Sequence, residues 1–170
     1  MVQTASKPEI LCSGAVDCRL FGWATQHSRA SFSHRFTNRI SHLLANFHHP
    51  NSLIVTFCSP SRQLLMLDTR SPLSHSQVSF GHSELSSTSR YLRPSWSRSG
   101  NLVALGTIVP ETRTSALNVW DVRYLGPEGS PTRSIEFSGE KRFLASEFWP
   151  AGNTIVVLAS DGSANFVDYT

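Results

Sequence analysis

A chain of 170 residues, 39% apolar and 16% charged, is long enough to bury one sizeable core. It lacks any apolar run of the roughly 18 residues that a membrane span needs, and Met1-Val2-Gln3-Thr4-Ala5-Ser6-Lys7-Pro8 lacks the apolar core of a secretory signal. Its formal charge of +3 rests on 13 Arg and 2 Lys that are scattered rather than run together, so neither a membrane nor a nucleic acid is an expected partner. Cys12, Cys18 and Cys58 are odd in number and lack metal-ligand spacing, which predicts reduced, buried thiols in an intracellular protein of the nucleus or cytoplasm.

In chain order the sequence reads as short apolar strands separated by turn residues. The first hairpin runs from Leu11 to Trp23, with its turn at Asp17. The second segment carries the turn Phe47-His48-His49-Pro50-Asn51 and closes on Met66-Leu67-Asp68-Thr69-Arg70. The third opens on Gly81-His82, turns at Ser97-Arg98-Ser99-Gly100, and closes on Val119-Trp120-Asp121-Val122-Arg123. In the fourth, Phe148-Trp149-Pro150-Ala151-Gly152 precedes an apolar strand from Thr154, and Asp161-Gly162 leads into a last strand ending at Asp168. Asp-Gly between two apolar runs is a strong hairpin signal, because the tight turn needs positive φ at its centre. The serine-rich stretches 71–76 and 83–89 and the connector 124–131 read as loops.

Aligned on the residue that closes each segment, Trp23, Leu67, Trp120 and Val167 recur at intervals of 44, 53 and 47 residues. Several strands per period and a terminal Trp-Asp are the pattern of a four-stranded propeller blade. The chain therefore resembles a WD-repeat β-propeller. The expected fold is all-β: a partial WD-repeat propeller of about three four-stranded blades plus part of a fourth, with segments at about 9–34, 35–82, 83–138 and 139–170. The first segment is expected to begin at its second strand and the last to stop after its third, as in the C-terminal part of a longer propeller. A rival reading closes one ring from two copies. In the partial propeller, open end blades would expose apolar faces and strand edges, favouring self-association.

The resemblance implies structural roles for seven residues. His34 and His82 occupy the Gly-His loop position, Thr107 lies on a second strand, Trp23 and Trp120 end third strands, and Asp17 and Asp161 sit in turns. In that family such residues join in a hydrogen-bonded tetrad that locks a loop to its blade, and the two tryptophans are expected to be buried. His82, Thr107 and Trp120, with an acidic residue such as Glu111, could alternatively suggest a hydrolase. The sequence has no Gly-x-Ser-x-Gly elbow, phosphate loop or His-Glu-x-x-His, so no catalytic residue, cofactor or metal is expected. His48 and His49 are adjacent, and on a strand would point to opposite faces.

Asp68-x-Arg70 and Asp121-x-Arg123 follow the third strands of consecutive segments. This pair resembles the double DxR box of cullin-4-associated substrate receptors, which implies that Asp68, Arg70, Asp121 and Arg123 bind protein and dock a cullin-4 ligase adaptor. Arginine suits that task because its planar fork makes several directed hydrogen bonds. The plainer reading is that each arginine caps local carbonyls, since Trp-Asp-x-Arg is a common blade ending. The resemblance places the loop Ile108 to Ser115 on the opposite face, where a client could bind. The expected function is a non-catalytic protein-interaction scaffold, in its sharpest form a cullin-RING substrate receptor. The alternatives are a generic scaffold in a trafficking, RNA-processing or chromatin complex and, from another class, a propeller hydrolase.

Overall fold

A computed structural model describes residues 2–4, 10–24, 29–70, 77–82, 93–108, 114–126, 129–137, 143–150 and 153–169. The chain divides into two compact units, Met1–Phe80 and Gly81–Thr170, each built from two antiparallel sheets. Among the described residues the helical content is one 3-10 turn, Val122–Tyr124.

In the first unit, β1 (Val2–Thr4), β2 (Ile10–Gly14), β3 (Arg19–Ala24) and β4 (Ala30–Arg35) pair in sequence order. The second sheet follows the same order with β5 (Ile40–Ala45), β6 (Ser52–Phe57), β7 (Leu64–Asp68) and β8 (Val78–Phe80). Cys12 and Leu20 of the first sheet pack on Ile40, Leu53, Val55 and Leu67 of the second. β6 is buried from Leu53 to Phe57, so side chains on both of its faces leave water. That burial is why it reads as a nearly continuous apolar stretch, interrupted only by Thr56, instead of an alternating one.

The second unit contains β9 (Ser95–Trp96), β10 (Leu102–Ile108), β11 (Ser115–Asp121) and β12 (Arg133–Phe137), again in sequence order. Its other sheet has three strands, β13 (Phe143–Phe148), β14 (Thr154–Ala159) and β15 (Ala164–Asp168). Ala104, Leu117 and Val119 pack on Phe148, Ile155 and Val157. β11 is buried along its whole length, whereas β14 alternates, with Ile155, Val157 and Ala159 turned to the core and Leu158 to solvent. Alternation of that kind marks a sheet packed on one face.

Two expectations are corrected. The first segment does not begin on its second strand: Val2–Thr4 pairs with Ile10–Cys12, so a short strand takes the first place in that sheet. Three residues suffice for the pairing, which fixes their extended backbone. The three cysteines are free, but only Cys12 is buried, where loss of solvent pushes its thiol up to about 11. Cys18 and Cys58 are half-buried because they sit where strands end: Cys18 in the β2–β3 turn with φ 67, Cys58 just past β6.

Candidate functional site

The two Asp-x-Arg endings are built alike. Asp68 ends β7 opposite Ser52, and Asp121 ends β11 opposite Leu102, so each carboxylate stands at the mouth of the second-to-third strand pair. Asp68 Oδ1 accepts from the Arg70 main-chain N at 2.9 Å and from Arg70 Nε at 3.0 Å, while Oδ2 accepts from Nη2 at 2.6 Å. The corresponding distances for Asp121 and Arg123 are 3.0, 2.9 and 2.6 Å. The hydrogen bonds from each arginine's side chain hold both carboxyls below the ordinary carboxylate range.

This geometry differs from an arginine capping local carbonyls. The side chains of Arg70 and Arg123 remain 68% and 54% exposed. One edge of each planar guanidinium, Nε and Nη2, is clamped by its own aspartate. Nη1 has no hydrogen-bond partner among the described residues and is left on the outer edge. A bidentate clamp orients the guanidinium more sharply than a single hydrogen bond does. Tyr124, 77% exposed, follows Arg123, whose guanidinium carbon lies 5.2 Å from the tyrosine ring centre. The sequence identified the four residues but not that each aspartate binds its own arginine, since spacing alone does not fix a rotamer.

A buried polar network lies in the second unit. Asn118 Nδ2 donates to Thr107 Oγ1 at 3.2 Å and stands 3.0 Å from His82 Nε2. Thr107 in turn donates to the Ala116 carbonyl at 3.4 Å. Because an amide NH2 can only donate, His82 Nε2 accepts and the ring is neutral in this arrangement. Burial pushes the His82 pKa down in keeping with that state. Trp120 is fully buried, with its ring edge-on to His82 at 5.8 Å, but its Nε1 donates to the Gly129 carbonyl at 2.9 Å. The same carbonyl accepts from Gly81 N at 3.3 Å.

The structure thus brings His82 and Thr107 together through Asn118, a residue the sequence reading did not single out. Its signal was present: Ala116, Asn118 and Trp120 alternate along β11 and share one face, so an amide stands in line with the buried tryptophan. The tryptophan's hydrogen bond goes to the connector instead of to the histidine or threonine, because the indole N–H reaches past the sheet to Gly129.

The remaining expected residues are dispersed. Ser33-His34 is not a loop: both lie in β4, because Phe32 packs inward and sets an alternating strand register. The His34 ring rests on Phe36 at 4.5 Å. Asp17 accepts from Arg19 N in its own turn, and no hydrogen bond joins it to His34 among the described residues. Asp161 accepts from the main chain and hydroxyl of Ser163. Trp23 is half-buried, because it lies on the face of the first sheet turned away from its neighbour, where Nε1 donates to Ser13 Oγ at 3.3 Å. No group of three or more His, Cys, Asp or Glu among the described residues is placed to hold a metal ion. Glu111, most of the loop from Ile108 to Ser115, and the stretches 71–76 and 83–89 lie outside the described residues.

No protein-family model matches the sequence, and no curated protein matches it. Solved structures do resemble it. The β-propeller domain of Cps50 (Swd1) from Myceliophteria thermophila matches with a TM-score of 0.70 at 19% identity, over 99% of this chain and 53% of that one. The WD40 domain of Toxoplasma gondii coronin matches with a TM-score of 0.68 at 16% identity, over 94% of this chain and 39% of that one. The computationally designed Ika4 protein matches with a TM-score of 0.65 at 18% identity, over 99% of this chain and 92% of that one. The chain spans about half the length of the Swd1 chain. At these identities the likeness bears on fold. The fold is all-β, that of part of a WD40 propeller, as the sequence leads one to expect.

Proposed function

We propose that this chain is a non-catalytic protein-interaction scaffold of the cell interior whose docking residues are Arg70 and Arg123, each oriented by its own aspartate. The observation that carries this reading is the repeated geometry of the two endings: in both, the carboxylate clamps one edge of an exposed guanidinium and leaves Nη1 outward. Two donors already held in place lose little freedom when a carboxylate or carbonyl of a partner arrives. In its sharper form the partner is the adaptor of a cullin-4 ubiquitin ligase and the chain is part of a substrate receptor. The chain also associates with itself through its open sheets.

The decisive experiment is capture of purified cullin-4 adaptor by the wild-type chain and by the double charge reversal R70E/R123E. Loss of capture with an unchanged circular-dichroism spectrum is the expected result. Equal capture by the folded double variant overturns the docking role of the two arginines. Failure of wild type to bind the adaptor removes the ligase form and leaves the scaffold.

A further inference from the structure

The two sheets that end the described chain present outward faces of opposite charge. On the last sheet, Val156, Leu158 and Phe166 share the face turned away from the core, as the pairing Val156↔Phe166 fixes. Leu158 is 48% and Phe166 67% exposed, and the half-exposed Trp149 sets its ring 6.3 Å from that of Phe166. The register puts Glu147 opposite Val156 and Asp168 opposite Thr154 on this same face. No Lys or Arg lies in these three strands, so the face is apolar with two acids. Partial desolvation raises the Glu147 pKa, as expected for a carboxylate on apolar surface without a cation beside it.

The outward face of the first sheet has the converse character. Phe21 and Trp23 stand with ring centres 5.9 Å apart, half-buried, beside Leu11. On the same face Arg19 and Arg35 lie directly across the β3–β4 pair, both exposed. Like charges directly opposite on a sheet repel and destabilise it unless a counter-charge is supplied. Neither arginine has an ion-pair partner among the described residues. β2 to β4 carry no acidic residue, and the nearby Asp17 carboxylate bonds the Arg19 main chain.

We infer that the outward face of β13–β15 docks, head to tail, onto the outward face of β2–β4 of a second copy of this chain, with Glu147 and Asp168 meeting Arg19 and Arg35 around an aromatic and aliphatic centre. This rests on the self-association proposed above and specifies its surfaces. Contact between two unlike faces is heterologous, so one copy can both give and receive, and the assembly either closes or extends. An apolar centre with a charged rim is the composition expected of a protein–protein contact, and the opposed charges select the unlike face over the like one.

The test is sedimentation velocity on the 170-residue chain, with one variant per face: L158D/F166D on the last sheet and R19E/R35E on the first. Wild type is expected to associate with rising concentration, and each folded variant alone to weaken association by about tenfold or more. Mixed in equal amounts, the two variants regain a 1:1 complex, because one keeps an intact first-sheet face and the other an intact last-sheet face. A second pairing, E147R/D168R mixed with R19E/R35E, restores association by reversing both signs without altering the apolar centre. Association that persists in both single-face variants, or that neither mixture restores, overturns the head-to-tail assignment while self-association stands. A wild-type chain that stays monomeric at all accessible concentrations overturns both.

Discussion

Gly106 lies against Phe143 so closely that a Cβ on the glycine would stand 3.1 Å from the phenylalanine Cβ and 3.2 Å from its Cδ2. The contact joins the second strand of one sheet to the first residue of the next. The first unit repeats it: a Cβ on Gly14, at the end of β2, would meet Ile40 Cγ2 at 2.9 Å at the start of β5. In both units a missing side chain lets the neighbouring sheet begin close to its partner.

Replacing Gly106 by valine should therefore cost about 1–3 kcal/mol, the usual range for overpacking a filled interior. Phe143 Cβ is tied to its own backbone and cannot swing away as a side-chain tip can. Gly126→Ala is the control, since nothing lies within 4 Å of that position and its φ is not in the left-handed region; it should change stability by less than about 0.5 kcal/mol. Denaturant midpoints of the two variants check the ranking. Equal midpoints would show that the sheets can separate without cost.

Asn118 Nδ2 bridges Thr107 and His82, so Asn118→Leu should remove both hydrogen bonds at once, while Thr107 keeps its bond to the Ala116 carbonyl. At about 0.5–1.5 kcal/mol for each hydrogen bond lost, a cost of about 1–3 kcal/mol is expected in all. Thr107→Val should cost less, because the Asn118 amide keeps His82. Thermal unfolding of the two single variants and the double variant forms a cycle whose coupling should be non-zero. Strict additivity would mean that the hydrogen bonds contribute nothing together.

The strands and turns were legible in the sequence because they depend on local pattern. Asp161-Gly162 does form a turn, with Gly162 at φ 81, and Leu53 to Phe57 is a buried strand. The short strand Val2–Thr4 was not legible, since three residues carry no periodicity and gain their conformation from pairing with β2. The same limit applied to the sites. Asp68-x-Arg70 and Asp121-x-Arg123 stood out by spacing, yet the bidentate clamp within each pair is a matter of side-chain rotamers. Asn118 escaped notice because a single amide in an apolar strand announces its role only once the register places it beside Thr107 and His82.

The clamps predict a graded effect on partner capture. D68N/D121N keeps both arginines but removes the charge that fixes their forks; if the proposed adaptor docking holds, capture should weaken by less than in R70E/R123E while the fold persists. Of the two aspartates, Asp121 should matter more for stability, because its side chain is 11% exposed against 30% for Asp68. Binding titrations of wild type and the two double variants give the order. Capture by D68N/D121N equal to wild type would show that the partner orients the arginines for itself.

His82 makes the second unit sensitive to mild acid. Its pKa in the folded chain lies below the ordinary 6.5, chiefly because burial disfavours the charged ring. The unfolded chain therefore binds a proton more readily than the folded one as pH falls. By linkage, the stability due to neutral His82 is fully present above about pH 6.5 and declines as pH drops below it, down to the lower folded value. Protonation also turns Nε2 from acceptor to donor, facing the Asn118 amide 3.0 Å away. The aspartates Asp68 and Asp121 act in a separate window: their depressed carboxyls stabilise above the ordinary 3.8 and lose that contribution only below it. Stability measured by denaturant unfolding from pH 7.5 to pH 5 should fall for wild type, and the fall should be smaller for His82→Gln, which cannot take up a proton. Parallel profiles for the two proteins would show that His82 does not bear this part of the pH dependence.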